Sequence, residues 1–556
     1  MRILVIGGVA AGPKAAARAR RLLPGAGITI VERGGLISYA GCGMPYFVSG
    51  QIRDFDELFT TAYGIKRDEL YFAKEKAVRV LTRTEATAID REKKEVTVTS
   101  LETGECYTLP YDKLVLATGA GPFIPPVPGL DLEGVYRLNH PEDARKVAAG
   151  AAGAKEAVVM GAGLIGMEAA EALLKRKMGV SVVEMKDQIL PAVLDPDLAA
   201  LLAYRLEETG LEMFTGRKVL RLEGRDRVTG VVTDQGTLPA DLVIVAVGVR
   251  PNVELARHAG LTIGETGAIA VNRRLETSDP DIYAIGDCVE NRHLVSGRPV
   301  YIPLASTANR QGRVAGDNLA GIGSAFEGVL GTSVMKITDW NVGRTGLGEE
   351  QARALGYEIE CAVNAGHDRT HYYPGHDNVI IKLVVEKQSR RVLGLQGIGQ
   401  GDVVKRVDVA AAALRFGATV DDLAGLDLGY APPYNTPIDP LQHTANIVRN
   451  KLDGVAETVT ARELHDLLAS DGDFVLLDVR TPDQFRYRRI DDARTLQVAL
   501  GDLRDHLQDI PREKPVITIC ALGSRAWEAE RILAGAGFRN VKFVEGGLQG
   551  WPYDTD

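Results

Sequence analysis

The chain has 556 residues, 65 of them basic and 74 acidic, a formal charge of -9, and hydrophobic and charged fractions of 45% and 25%. At about 150 residues per domain this makes three or four domains, so a single small binding module is excluded. The mildly acidic balance excludes a polyanion-coating surface, and nucleic acid is not an expected partner.

The longest apolar stretches, such as Leu242 to Val249, fall far short of the roughly 20 residues that span a bilayer. Met1 runs straight into a strand-like RILVIGG with no signal-peptide pattern. A cytoplasmic protein without a membrane span is expected. The five cysteines, Cys42, Cys106, Cys288, Cys361 and Cys520, are odd in number and far apart, which argues against a disulfide framework or a paired metal site. No metal is expected, and any special cysteine should be a lone reactive thiol.

The first segment, RILVIGGVAAGPKAAARARRL followed by GITIVER, is repeated in kind by EAVVMGAGLIGMEAAEALLKRK followed by GVSVVEM. Each copy reads as strand, glycine turn, helix, strand. In a dinucleotide-binding unit the first glycine makes the tight turn, the second lets a pyrophosphate approach the backbone, and the third lets helix pack on strand. The second copy supplies all three with Gly161, Gly163 and Gly166, and its next strand ends in Glu184, placed to accept from a ribose 2'-hydroxyl. That favours NAD, with Lys186 two residues on leaving NADP open. The first copy has Gly7 and Gly12 but Val9 between them, and Glu32 as its strand-end acid.

Beyond the cradles, the run Val243 to Val249 reads as a buried parallel strand. A doubly wound α/β enzyme is expected. Near Lys451 to Glu457 the pattern resets to a short polar linker, and Thr460-Ala-Arg-Glu463 is a capping box opening a helix. The domain that follows reads as helix, strand FVLLDV, a helix opened by Thr481-Pro482, strand VITIC, a helix from about Arg525, and strand NVKFVEG.

LETSDPDIYAIGDC, ending in Gly286 and Asp287, resembles the second FAD motif of the pyridine nucleotide-disulfide oxidoreductases. LVLATGA, with Thr118 and Gly119, and VIVAVGVRPN resemble the strands with which that family closes its FAD and NAD domains. The resemblance covers residues 1 to about 445. It implies FAD on Gly7, Gly12, Glu32, Thr118, Gly119, Gly286 and Asp287, with NADH on the second cradle. It also implies FAD- and NAD-binding Rossmann-like domains, an α+β dimerisation domain and a homodimer. The expected boundaries are 1–150 with 251–325 for FAD, 151–250 for NAD, 326–452 for dimerisation, and 458–556 for the last domain.

Cys42, in ISYAGCGMPYF, has no cysteine close in sequence, so it can form only a mixed disulfide with a small thiol, a persulfide, or a sulfenic acid. The segment Ser38-Tyr39-Ala40-Gly41-Cys42 resembles the Ser-Phe-Ala-Asn-Cys of coenzyme A disulfide and CoA-persulfide reductases, with Gly41 in place of the asparagine. The resemblance implies that Arg18, Arg21, Ser38 and Lys74 hold coenzyme A. It further implies that Tyr372 and Tyr430, in HYYPG and YAPPY, reach a partner's cysteine site and act on the leaving thiolate.

Cys520-Ala521-Leu522-Gly523-Ser524-Arg525 lies between a strand and a helix, where helix dipole and backbone N–H groups can cradle a sulfur anion. It resembles the rhodanese active-site loop, and Asp478-Val479-Arg480 and Glu545-Gly546-Gly547 with Trp551 match further rhodanese signatures. The rhodanese pattern Gly-His-Ile is replaced by Arg488-Arg489-Ile490. Cys520, with Arg525, is expected to accept sulfane sulfur and pass it to CoA or another small thiol. Cys42 then attacks that persulfide, and NADH restores Cys42 through FAD. Coenzyme A disulfide reduction, NADH oxidase or peroxidase activity, and a redox sensor are the alternatives.

Overall fold

The computed structural model describes residues 1–556 as two compact units, 1–185 with 216–329, and 186–215 with 330–556. No helix is long and apolar enough to cross a membrane.

The first unit holds two parallel sheets. In one, the strands run in the order Ile282–Ala284, Lys113–Leu116, Arg2–Ile6, Gly27–Val31, Arg79–Leu81. These strands are almost wholly buried and mostly apolar, as sheets covered on both faces require. The helix Ala11–Leu22 covers one face with Ala15, Ala16 and Ala19. It packs directly on the helix Ala305–Leu319, where a Cβ at Gly312 would lie 2.7 Å from the Ala11 carbonyl oxygen and one at Gly316 2.6 Å from Arg18 Cβ. Small residues let the two backbones meet, and so the late helix joins the first sheet.

The other sheet orders Gly179–Val183, Glu156–Met160, Leu242–Val245 and Val135–Tyr136, again in parallel. The run expected as one strand, Val243 to Val249, stops at Val245 and resumes as Val249–Pro251, which pairs antiparallel with Ala120–Pro122. The break follows from the second cradle. The Ala246 carbonyl oxygen would lie 2.5 Å from a Cβ at Gly161, and Gly248 turns the chain with φ +111°.

In the second unit an antiparallel sheet runs Ser333–Ile337, Trp340–Gly346, Val392–Gly399, Asn378–Glu386, Ile359–His367. The helices Val403–Arg415 and Pro440–Leu452 each bury an apolar face. After Leu452 a parallel sheet follows in the order Thr458–Val459, Val541–Val544, Val516–Ile519, Val475–Asp478, Thr495–Gln497. The expected capping box forms: Thr460 Oγ1 accepts from Glu463 N at 3.1 Å, and Glu463 Oε2 accepts from Thr460 N at 2.7 Å. Thr481 caps the helix Pro482–Tyr487, and the helix after Cys520 runs Ser524–Gly535.

Candidate functional site

Both glycine cradles are closed to side chains. A Cβ at Gly12 would lie 2.0 Å from the Gly7 carbonyl oxygen, and one at Gly166 1.9 Å from that of Gly161. Gly7 and Gly161 adopt φ +109° and +101°, a region that costs other residues steric energy. The two acids repeat the same bond: Glu32 Oε2 accepts from Gly8 N at 2.7 Å, and Glu184 Oε2 from Ala162 N at 2.9 Å. Glu32 Oε1 also accepts from Gly34 N at 2.7 Å. Gly163 caps the helix Leu164–Leu174.

Around the first cradle, Thr118 Oγ1 donates to the Asn252 carbonyl at 2.7 Å, and Asn252 Nδ2 donates back to the Thr118 carbonyl at 2.8 Å. Gly119 follows at φ +66°. Gly286 N donates to Gln311 Oε1 at 2.7 Å. Burial pushes the Asp287 carboxyl above its ordinary value, so it favours a hydroxyl donor as partner, which a ribityl chain supplies. A backbone cradle that admits no Cβ, a strand-end carboxylate and an acceptor of this kind fit FAD.

Cys42 sits in the single 3-10 turn Gly41–Gly43 and is exposed, with Met44–Val48 continuing as a short helix. Its thiol is pushed above the ordinary range, first by partial desolvation, then by the carboxylates of Glu168 and Asp287. The charge of Asp287, just beyond the strand Ile282–Ala284, thus acts on the cysteine. Glu168 lies on the helix that begins the second cradle, and burial next to Glu171 raises it to about 7. Tyr46, one turn after Cys42, has its phenol raised by burial and by the charges of Glu168, Glu171 and Cys42. Lys175 Nζ donates to Gln51 Oε1 at 3.0 Å, and Arg176 Nε donates to the Val48 carbonyl, which fixes the cysteine helix on the helix of the second cradle. Neither Glu168 nor Tyr46 was singled out from the sequence. The available signal was a pair of carboxylates, Glu168 and Glu171, on a helix whose other residues are apolar.

The candidates for coenzyme A are dispersed in role. Arg21 and Lys74 are exposed. Arg18 Nε is committed to Asp317 Oδ1 at 2.5 Å. Ser38 takes φ +53°, and its N–H donates to the Gly8 carbonyl at 2.8 Å, tying the cysteine loop to the first cradle.

In the second unit Tyr372 and Tyr430 are 63% and 47% exposed, and the Tyr430 phenol is raised above its ordinary value, first by the Tyr372 side chain. Their loops are held by one arginine that the sequence did not mark. Arg406, 1% exposed, donates to the Asp368 carbonyl at 2.8 Å, to Asn435 Oδ1 at 2.9 Å and to Asp439 Oδ1 at 3.3 Å, and forms an ion pair with Asp439 Oδ2 at 2.9 Å.

Cys520 is buried, and Gly523 N donates to its Sγ at 3.1 Å. That is one amide bond where the loop geometry predicts several. Arg525 donates to Gln484 Oε1 at 3.0 Å, and Arg480 closes a bidentate pair with Asp478 at 2.6 to 3.1 Å. Glu545, 3% exposed, accepts from Lys451 Nζ, Thr458 Oγ1 and Val363 N, each at 2.7 Å.

Residues 1–312 match the family described as pyridine nucleotide-disulphide oxidoreductase, residues 332–439 its dimerisation domain, and residues 460–553 the rhodanese-like domain. The chain is 37% identical over 450 residues to the NAD(P)H sulfur oxidoreductase (CoA-dependent) of Pyrococcus furiosus, covering 81% of this chain and 99% of that one. It is 36% identical to the NAD(P)H coenzyme A polysulfide/persulfide reductase of Pyrococcus horikoshii, covering 81% and 98%. Among solved structures, a NAD-dependent persulfide reductase from A. fulgidus superposes with TM-score 0.95 at 44% identity over 99% of this chain and 100% of that one. The reduced Bacillus anthracis CoADR-RHD gives 0.91 at 35% over 99% and 97%.

Proposed function

Because the chain belongs to the pyridine nucleotide-disulphide oxidoreductase family and carries that family's dimerisation domain and a rhodanese-like domain, we propose that it is an NADH-dependent flavoprotein reducing CoA persulfide and related thiol persulfides. The observation that carries this reading is Cys42, exposed in a turn whose electrostatics couple it to Asp287 of the flavin cradle and bonded to no second cysteine. A sulfur so placed must take its partner from the substrate. The P. furiosus and P. horikoshii relatives, named for CoA-dependent sulfur and polysulfide/persulfide chemistry, support the same choice.

FAD would rest on Gly7, Gly12, Glu32, Thr118, Gly119, Gly286 and Asp287, and when bound it passes the two electrons of NADH to the sulfur at position 42. NADH would rest on Gly161, Gly163, Gly166 and Glu184. Cys42, as thiolate, attacks the persulfide R–S–SH. Attack on the inner sulfur gives Cys42–S–S–R and releases HS⁻; attack on the outer sulfur gives Cys42–S–SH and releases RS⁻. Glu168, titrating near neutrality beside Cys42, can hold the proton that the thiol gives up. Tyr372 and Tyr430, both exposed and with the Tyr430 phenol raised by the Tyr372 side chain, are suited to donate to the departing thiolate of a partner subunit. Arg21, Ser38 and Lys74 are the groups free to meet the CoA phosphates, with Arg18 reaching them only from its pair with Asp317.

The rhodanese-like domain supplies sulfur. Cys520 accepts sulfane sulfur as Cys520–S–S⁻ and hands it to a small thiol, with Arg525 beside the loop. Steady-state NADH oxidation tests the reading. Cys42→Ser should abolish turnover with preformed CoA persulfide. Cys520→Ser should abolish turnover from a sulfane donor plus CoA while sparing the preformed substrate. Faster turnover with CoA disulfide, or with oxygen and no thiol, overturns the reading.

A further inference from the structure

Glu545 opens the rhodanese signature Glu545-Gly546-Gly547, and its buried carboxylate is filled largely from outside that domain. Val363 N, on the strand Ile359–His367, donates to Oε2 at 2.7 Å, and Lys451 Nζ, on the helix Pro440–Leu452, donates to Oε1 at 2.7 Å. Thr458 Oγ1 adds a third bond at 2.7 Å. Lys451 also donates to the Cys361 carbonyl and lies 3.0 Å from Glu360 Oε1. Burial alone would lower its ammonium, but the carboxylates of Glu545 and Glu360 hold it above its ordinary value. The helix that carries Lys451 falls between the stretches matched to the dimerisation and rhodanese-like families, 332–439 and 460–553.

Directly after Glu545 the chain meets the sulfur loop. Gly546 and Gly547 take φ +69° and +53°, and a Cβ on Gly547 would lie 2.5 Å from the Cys520 carbonyl oxygen. In the turn Gly547–Gly550, Leu548 N donates to the Cys520 carbonyl at 2.9 Å and Gln549 N to the Ala521 carbonyl at 3.0 Å. Across a planar trans peptide a carbonyl and the next N–H point in opposite directions. Fixing these two carbonyls on the turn therefore aims the N–H groups of Ala521 and Leu522 away from it, and Gly523 N meets Cys520 Sγ at 3.1 Å. The turn sets the direction of the loop amides, and the turn begins at Glu545.

An apolar contact comes from the same helix. Ile447 packs against the cluster of buried residues that contains Cys520 itself, together with Ala526, Ala529 and Leu533 of the helix that follows it. Ile447 and Lys451 are four residues apart and so share a helix face. One supports the core under the cysteine, the other holds the signature carboxylate.

We propose that Lys451 is a positioning residue for the Cys520 loop, so that sulfur uptake by the rhodanese-like domain depends on its seat against the helix Pro440–Leu452 and the strand Ile359–His367. This rests on the proposed function, in which Cys520 accepts sulfane sulfur, and deepens it. The steps served are Cys520–S⁻ + S₂O₃²⁻ giving Cys520–S–S⁻ + SO₃²⁻, and Cys520–S–S⁻ + CN⁻ giving Cys520–S⁻ + SCN⁻. In each, one bond to the transferred sulfur breaks, one forms, and no outside electrons are needed.

The full chain carrying Cys42→Ser, held well below its first melting transition, reports Cys520 alone. Thiosulfate is added and sulfite release is followed through a single turnover, where the amplitude counts the folded loops and the rate constant reports their alignment. In Lys451→Met the rate constant should fall on the order of tenfold, the effect of a small misplacement of a reacting group, with the amplitude kept. Lys451→Arg retains the cation and should recover most of the rate. Glu545→Gln, which keeps the side-chain shape and one acceptor oxygen, should slow the step too. The double substitution should be no slower than Lys451→Met, since the pair acts as a unit. The proposal is overturned if Lys451→Met and Glu545→Gln, at whatever amplitude, release sulfite with the rate constant of the parent, or if Lys451→Arg is as slow as Lys451→Met. Failure of the underlying reading looks different, because the parent itself would then take up no sulfur from thiosulfate or polysulfide.

Discussion

Lys451 Nζ lies 2.7 Å from Glu545 Oε1 and 3.0 Å from Glu360 Oε1, so one buried ammonium on the last helix before the linker joins two carboxylates, one of them in the rhodanese signature Glu545-Gly546-Gly547. The N–H of Val363 and the hydroxyl of Thr458 complete the acceptor set of Glu545. These contacts fasten the rhodanese-like domain to the antiparallel sheet as one body.

Replacing Lys451 with Met leaves the buried Glu545 carboxylate without its cation, while the half-buried Glu360 keeps Lys387 at 3.3 Å, and breaking a buried pair in this way costs about 3–5 kcal/mol. The expected result is a separate, earlier melting transition for the rhodanese-like domain in calorimetry. Limited proteolysis should cut faster in the linker at 453–457. Reduction of preformed CoA persulfide should persist. A single unshifted transition contradicts the role given to the pair.

Glu168 raises the Cys42 thiol when it is ionised, after the larger effect of burial. Glu168→Gln should therefore make Cys42 more reactive to iodoacetamide at pH 8, on the order of threefold, and leave the rate unchanged at pH 5, where the parent carboxyl is already protonated. The sign for stability follows from a carboxyl raised from 4.5 to about 7. Its proton is held more tightly in the folded state, so the stabilisation is complete below about pH 4.5 and is lost as pH rises through about 7. Thermal melts should show Glu168→Gln above the parent at pH 8 and level with it at pH 4.5.

Arg406 is a positioning residue for the tyrosine pair. Arg406→Met strands the buried Asp439 carboxylate and frees the carbonyl of Asp368, at a cost of about 3 kcal/mol or more. In the variant, kcat with CoA persulfide should fall while alkylation of Cys42 stays unchanged, and the tyrosine hydroxyls should titrate independently by ultraviolet difference spectroscopy. A general loss of Cys42 reactivity would show that the damage is not confined to the tyrosine loops.

Gly41 stands where the resembling reductases have asparagine. A Cβ there would meet nothing within 4 Å, and its backbone lies outside the left-handed region. Gly41→Asn should leave the melting temperature within the range of a neutral surface change, about 0.5 kcal/mol. It should lower KM for CoA persulfide with little change in kcat, and an unchanged KM would remove the side chain from the binding account.

The glycine pattern, the strand-end acids and the capping box were legible because each is a local device: spacing alone tells where the chain must turn or start a helix. The same local reading ran Val243 to Val249 on as one strand, because nothing in that apolar run shows that Gly161 needs the Ala246 carbonyl oxygen close by. Glu168, Arg406 and Lys451 were invisible for a related reason. Each is an ordinary charged residue on a helix until folding buries it against a particular cysteine, carbonyl or carboxylate. Arg18 shows the reverse, since a basic residue on a solvent-facing pattern turned out to have its partner nearly 300 positions later, at Asp317.

The packing of Ala11–Leu22 on Ala305–Leu319, together with the place of Ile282–Ala284 at the edge of the first sheet, governs the order of assembly on the ribosome. The nascent chain exposes its opening nucleotide turn early but must wait, at roughly 5–20 residues per second, on the order of ten seconds or more for the distant pieces that close it. Cofactor retention is therefore expected only once the helix Ala305–Leu319 has been made, and truncated translation products ending before it should emerge colourless.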